Sequence, residues 1–218
     1  MLSITDIWPL FGIKVTSPNL VMRIVRDEDI PGIAEAALAG IHDPATMPFS
    51  VPWTDEPREQ MIKNMAKHQW KLRTTVRPDH WTLNFVILLD GVPIGTQSIG
   101  AKLFSLTKSV SSGSWLTANH QGKGYGKEMR AAILLFAFDY LGAEVAESGA
   151  AAWNEPSLGV SRSLGYRANG LKRVVGRPGQ LTHMQELRLA AEDFARPTWN
   201  IAVEGFEAAR NEVLLPAP

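Results

Sequence analysis

The chain has 218 residues, 45% of them hydrophobic and 20% charged, with 22 Lys plus Arg against 22 Asp plus Glu and no cysteine. This is enough chain for one substantial domain, residues 1–218, with a sizeable core. The balanced charge gives no general field for drawing in nucleic acid, and the missing cysteines exclude disulfides, thiolate metal sites and a cysteine nucleophile.

No apolar run reaches the length of a membrane span, and residues 1–12 lack the basic start and cleavage-like site of a secretory signal. With the absence of cysteine, this predicts a cytoplasmic protein. A turn at Ser17-Pro18-Asn19 precedes a strand, Leu20 to Val25. Asp27 to Asp29 cap a helix over about 30–40, with Pro31 in its first turn. His42 to Asp55 is long, proline-rich and aromatic, which predicts a lid or binding wall. A second helix, about 56–73, puts Met61, Met65, His68 and Leu72 on one stripe, and that spacing predicts core packing.

Trp81 to Leu89 alternates and ends in Asp90-Gly91, a hairpin signal that predicts Val92 to Ser98 as the return strand. Leu103 to Leu106 and Ser111 to Leu116 read as the next ladder elements. Then comes His120-Gln121-Gly122-Lys123-Gly124-Tyr125-Gly126, followed by an amphipathic helix over 127–141. Glycines here allow tight turning and close approach of a ligand to the backbone. The helix start directs unpaired N–H groups and a positive dipole end into the turn, so a phosphate or pyrophosphate fits there. The glycine spacing is neither that of a P-loop nor that of a dinucleotide fingerprint.

Tyr125, Met129, Ile133, Phe136 and Tyr140 share one helix face, which predicts packing on the sheet. A strand over 144–153 leads to Asn154-Glu155-Pro156-Ser157, where Asn154 caps a helix that stops at Gly165. Strands over 166–175 and 181–189 follow. The tail from Asp193 reads as a short helix with packing elements, ending in a loose Pro-rich terminus, Leu215 to Pro218. The sum is an α/β (α+β) domain with a mixed, mostly antiparallel central sheet and helices on both faces.

Gln121 to Gly126 matches Gln/Arg-x-x-Gly-x-Gly, and Asn154, Ser157, Val160, Gly165 and Tyr166 match a second pattern one strand and one helix further on. In both motifs and their separation the chain resembles the GNAT acyltransferase superfamily. Its opening, Pro18 to Arg23 with Asp27 to Asp29, looks like the Rim-type branch, whose members acetylate ribosomal-protein N-termini. Pro48 to Thr54 and Gly113 to Leu116 are similar to an actinobacterial, succinyl-CoA-dependent subgroup.

The resemblance implies an N-acyltransferase that moves an acetyl or succinyl group directly from acetyl-CoA or succinyl-CoA to a primary amine, without a metal. The amine belongs to a small molecule or to a protein N-terminus or lysine. Amides from Gly122 through Lys123, Gly124, Tyr125 and Gly126 to Lys127, beside Gln121, are expected to hold the pyrophosphate. Strands that splay after Trp115 and Leu116 would let the pantetheine pair like an extra strand. A main-chain N–H between Ser114 and Leu116 is the expected oxyanion donor. Asn154 is expected to hydrogen-bond the pantetheine, and Ser157 to assist the leaving thiolate.

Many GNAT enzymes carry a tyrosine acid seven residues after the asparagine, where this chain has Ser161. No single general base stands out among His42, His68, His80, His120, Glu28, Glu35, Asp43 and Asp55. Phe49 and Trp53, with Trp70 and Trp81 as further candidates, are expected to wall the acceptor side. The missing tyrosine and base keep a second reading open, a catalytically silent CoA-binding module. The aromatic tail offers a surface for a homo-oligomer, and neither a membrane nor nucleic acid is an expected partner.

Overall fold

The computed structural model describes residues 1–214. A short helix, α1 (Ile4–Ile7), and a tight turn lead to β1 (Lys14–Thr16) and β2 (Leu20–Ile24). Then come α2 (Ile30–Leu38) and α3 (Arg58–Thr74), joined by an irregular loop with one short turn at Trp53–Asp55. β3 (His80–Leu89) and β4 (Val92–Lys102) form the longest central hairpin. Its turn works because Asp90 and Gly91 both take positive φ, 50° and 79°, the mirror-image geometry that matches strand twist.

A helical turn, α4 (Phe104–Thr107), separates β4 from β5 (Ser109–Leu116). α5 (Tyr125–Leu135) continues as a π-helical turn, Phe136–Leu141, until Gly142 at φ 73° ends it. β6 (Val145–Ala151), α6 (Glu155–Ser163), β7 (Arg167–Arg177) and β8 (Gln180–Ala190) follow. β9 (Ala202–Glu204) and α7 (Phe206–Val213) complete the described chain.

The strands join in one nine-stranded sheet of order β7-β8-β6-β5-β4-β3-β2-β1-β9. Every pairing is antiparallel except β5 with β6. Alternation along β3 supplies both faces. Trp81, Leu83, Phe85 and Ile87 are buried in the main core with α5, whereas Val86 packs with Ile33 of α2. Among the described residues no helix is long and apolar enough to cross a membrane.

Three elements differ from the sequence expectation. Residues 103–106 do not form a ladder strand. Leu103 and Lys108, at φ 49° and 46°, bracket a helical turn that buries Phe104 against Trp81, with ring centroids 6.1 Å apart. β1 and β9 were not foreseen, because a three-residue strand is too short to display a period. The tail runs back to the far edge of the sheet, where β9 pairs with β1 and Phe206 meets Phe136 at 5.3 Å. Its large side chains Phe194, Phe206 and Val213 are therefore buried in the chain's own core. The expected loose terminus, residues 215–218, lies outside the described residues.

Candidate active site

β5 and β6 share only three register pairs, from Ser109↔Val145 to Ser111↔Glu147. The strands part there, four residues earlier than the expected separation after Trp115. Beyond that point Ser148 Oγ donates to the Ser112 carbonyl at 3.3 Å, and β6 continues only along β8. β5 stays on β4 as far as Gly95↔Leu116, in a contact so close that a Cβ on Gly95 would overlap the Trp115 carbonyl. Thr117 N–H donates to Ile94 O at 2.9 Å. Antiparallel alternation then turns the N–H groups of Ser114 and Leu116 away from β4, towards the gap. The gap thus has a strand edge with donors on one side.

At the mouth of this gap the chain turns into α5. Gly122 and Gly124 take φ of 72° and 90°, and a Cβ on either would meet nothing within 4 Å. The amides of Gly122, Lys123, Gly124, Tyr125 and Gly126 have no acceptor among the described residues. The Lys127 amide is taken up, donating to Gly124 O at 3.0 Å, so the open run stops one residue short of the expected set. Five free amides on an open turn at a helix N-terminus suit a diphosphate. The Lys123 and Lys127 side chains are exposed. Helix α5 is tied to the β1–β2 turn by Glu128, whose carboxylate accepts from Ser17 Oγ (2.7 Å), Asn19 N (2.8 Å) and Asn19 Nδ2 (2.9 Å).

Gln121 does not present its side chain to the gap. Its amide donates to Leu116 O at 2.8 Å and to Ile41 O at 2.7 Å, fastening the end of β5 to the chain leaving α2. Ala118 N–H and Thr117 Oγ1 reinforce the joint through Gly40 O, at 2.8 and 3.2 Å. Leu116 turns its side chain into the core below Gly126, where Cδ1 would lie 3.8 Å from an added Cβ. The Trp115 indole lies on the opposite face of the sheet, 5.9 Å from Trp53. Tyr125, partly buried, packs against the main core, with its ring 6.4 Å from His120.

α6 forms the other wall. Asn154 Oδ1 caps the helix, accepting from Ser157 N at 3.3 Å, and Nδ2 has no partner among the described residues. Ser157 Oγ is partly exposed and likewise makes no hydrogen bond among the described residues. One turn on, Ser161 is fully buried; its hydroxyl donates to Ser157 O (3.1 Å) and accepts from Arg130 Nη1 (2.6 Å). It is sealed away from any substrate.

The Arg130 guanidinium is the site's unforeseen member. It is 7% exposed and, among the described residues, bonded only to Ser161 and, at 3.4 Å, to Ser114 Oγ of β5; burial pushes its pKa down. Its Nε and the Tyr166 hydroxyl, which lies near Ser112, are buried with no partner at hydrogen-bond geometry among the described residues, and burial raises the Tyr166 pKa. The one signal in the sequence was a cation inside the otherwise apolar run from Met129 to Leu135.

On the far side of β5 lies a cavity of about 500 Å³, between the 42–55 loop, α3 and the sheet. Phe49, Trp53 and Trp115 form one wall, with centroid spacings of 5.3 and 5.9 Å. Met61, Met65 and His68 line another; Met61 is at the same time buried in a small core cluster with Ala37 and Ile41, against which Met65 packs, so the stripe is core on one flank and cavity wall on the other. Gly113, Ser114 and Trp115 line it too, so β5 borders both the gap and the cavity. His68 is exposed at the edge of the cavity; partial desolvation there, then the Lys71 charge, lowers its pKa. Of the other expected bases, His42 is engaged with Thr54 Oγ1 (2.8 Å), Asp55 pairs with Arg177, and His80, His120, Glu28, Glu35 and Asp43 do not line the cavity; nor do Trp70 and Trp81, the latter buried in the main core.

The loop is clasped from outside. Arg177 at the β7–β8 turn holds Asp55 in a fork of 2.6 and 2.8 Å and donates to Pro44 O at 2.8 Å.

Residues 19–167 match the acetyltransferase (GNAT) domain family. Among solved structures, RimJ of Mycobacterium smegmatis in complex with CoA-disulfide is similar at a TM-score of 0.66 and 20% identity, over 92% of this chain and 93% of that one. A GNAT-family acetyltransferase from Bacillus anthracis is similar at 0.61 and 16%, over 82% and 99%. A chimeric spermidine N-acetyltransferase from Vibrio cholerae is similar at 0.59 and 14%, over 80% and 96%. Likenesses at these identities speak to the fold.

Proposed function

The chain belongs to the GNAT acetyltransferase family, and from that premise we propose that it is an N-acyltransferase working by direct transfer from acetyl-CoA to a primary amine, with donor and acceptor bound together. The observation that carries this reading is the open run of amides from Gly122 to Gly126 beside an unpaired strand edge. The donor supplies an activated acyl carbon and a thiolate leaving group. The free amides of Gly122 to Gly126 hold its diphosphate, and the Ser114 and Leu116 edge pairs with its extended arm. Asn154 keeps one amide hydrogen pair, on Nδ2, for the same arm.

The cavity under Trp115 holds the acceptor. Its nitrogen attacks the thioester carbonyl, the C–S bond breaks, and the proton lost by the amine ends on the thiol. A main-chain N–H on the Ser114–Leu116 edge stabilises the oxyanion, and Ser157 donates a hydrogen bond to the departing sulfur. His68 is the base best supported, as the histidine that lines the cavity and favours its neutral form.

Succinyl-CoA is the second donor reading. Arg130, a buried cation with no acidic partner among the described residues, supports it, since a succinyl carboxylate is the kind of group such a cation attracts. Titration of the protein with acetyl-CoA and succinyl-CoA in competition decides between the donors. CoA release over an amine panel separates an enzyme from a silent CoA-binding module: no release with any amine, despite tight donor binding, refutes the enzyme.

A further inference from the structure

We infer that the cavity between the 42–55 loop, α3 and the sheet selects a small acceptor with a single primary amine on an apolar or aromatic body, and disfavours polyamines. The inference rests on the reading of this cavity as the acceptor site and adds the chemistry of what enters it.

The first argument is the wall. Phe49, Trp53 and Trp115 stand in contact in a row, and the flexible side chains of Met61 and Met65 pack in the same cluster and line the same space. Such a surface gains free energy from apolar and ring contacts. At about 500 Å³ the cavity is of small-ligand size. The 42–55 loop that supplies Phe49 and Trp53 is already fixed by Arg177, so the wall is preformed.

The second argument is charge. Among the described residues Glu56 is the one carboxylate lining the cavity, and it is exposed. A polyamine brings at least two ammonium groups, and a cation taken from water without an acid loses more in desolvation than apolar contact returns. A monoamine escapes this by giving up its proton before it reacts, and His68 lines the same cavity.

The third argument is the floor. Asn84 Nδ2 donates to Gln69 Oε1 at 3.0 Å between two buried side chains. Asn84 Oδ1 and Gln69 Nε2 have no partner among the described residues, and Thr96 and Ser98 line the floor beside them. This is a small set of neutral acceptors and donors, suited to one amine and not to a row of cations.

The test is calorimetric titration of the CoA-loaded protein with tryptamine and with spermidine, followed by CoA release from acetyl-CoA with each. Tryptamine should bind and turn over, with spermidine weaker by about tenfold or more, and Trp53→Ala should weaken tryptamine about tenfold. Phe49→Leu, a milder change in the same wall, should move tryptamine affinity in the same direction if Trp53→Ala does not fold. Spermidine binding as tightly as tryptamine, or tryptamine affinity untouched by both variants, overturns the inference. CoA affinity, read in the loading step, reports on the donor site separately. A protein that binds tryptamine but no CoA loses the proposed function and keeps this cavity assignment. One that binds CoA and prefers spermidine loses this inference alone.

Discussion

Arg130 Nη1 donates to Ser161 Oγ at 2.6 Å, and the Ser161 hydroxyl passes its own hydrogen to Ser157 O at 3.1 Å. With Ser114 at the other prong, one buried guanidinium braces α5, α6 and β5 around the gap. Removing its acceptor should harm the fold more than removing the cation. Ser161→Ala leaves Nη1 buried with no partner and should lower unfolding free energy by roughly 1–3 kcal/mol. Arg130→Met withdraws the charge while Ser161 keeps Ser157 O, so it should be the more stable of the two. Urea denaturation of both variants checks the order, and Ser161→Ala matching the parent protein would show that the brace carries no weight.

Ser157 and Asn154 stand three residues apart and should separate in their effects. Ser157 Oγ makes no hydrogen bond among the described residues, so Ser157→Ala should leave stability and donor affinity nearly unchanged while kcat falls about 10²-fold. Asn154→Ala removes the cap and should cost about 1 kcal/mol of stability. It should also weaken donor binding. Steady-state kinetics with thermal melts distinguishes the pair; full turnover in Ser157→Ala would remove this serine from the mechanism.

What could be read in the chain beforehand follows from which forces are local. The Gly122–Gly124 turn and the Asn154 cap are short-range devices, so their residue types announce them. The gap itself is legible only as a consequence of those motifs, and in the structure it opens four residues earlier than they imply. Where two strands part depends on pairing across the sheet, which no local pattern encodes. The Met61-Met65-His68 stripe shows the same limit. Helical periodicity says that a face is covered, and it cannot tell a filled core from the wall of a cavity. Gln121 matched a ligand-binding pattern, yet its side chain fastens two carbonyls, Leu116 and Ile41, far apart in sequence. Arg130 was hidden because its acceptors come from two other elements.

The glycines of the turn should not be equivalent. At Gly124 an alanine has room, but its φ of 90° costs a residue with a Cβ about 1–2 kcal/mol, and the methyl would occupy the open space in front of the amides. Gly124→Ala should therefore lose stability and bind acyl-CoA more weakly. Gly126 lies inside α5 at ordinary φ, with only Leu116 Cδ1 at 3.8 Å from a new Cβ. Gly126→Ala should be neutral or raise stability by up to about 1 kcal/mol. Melting curves and donor titration of both variants read this; equal losses in the two would argue against the geometry assigned to the turn.

The clasp between Asp55 and Arg177 should make the acceptor loop sensitive to acid. Hydrogen bonds from Arg177 hold the Asp55 carboxyl below its ordinary value, with the Arg177 and His42 charges acting in the same direction. A carboxyl whose folded pKa lies below the unfolded value of about 3.9 adds its share of stability fully above that pH. That share is lost as pH falls through the lower, folded value. The pair is partly solvated, so the global effect is small and the local one is the better readout. Asp55→Asn keeps the shape and weakens the fork, leaving Arg177 its contacts to the carbonyls of Pro44 and Thr46. Amide exchange in residues 43–55 should quicken in this variant at pH 7, and in the parent protein only below about pH 4. KM for the amine should rise while donor affinity stays constant, because the glycine turn is held by other bonds. Unchanged exchange in this loop would mean that Phe49 and Trp53 are kept in place by their own packing, and that Arg177 is ornamental to the acceptor wall.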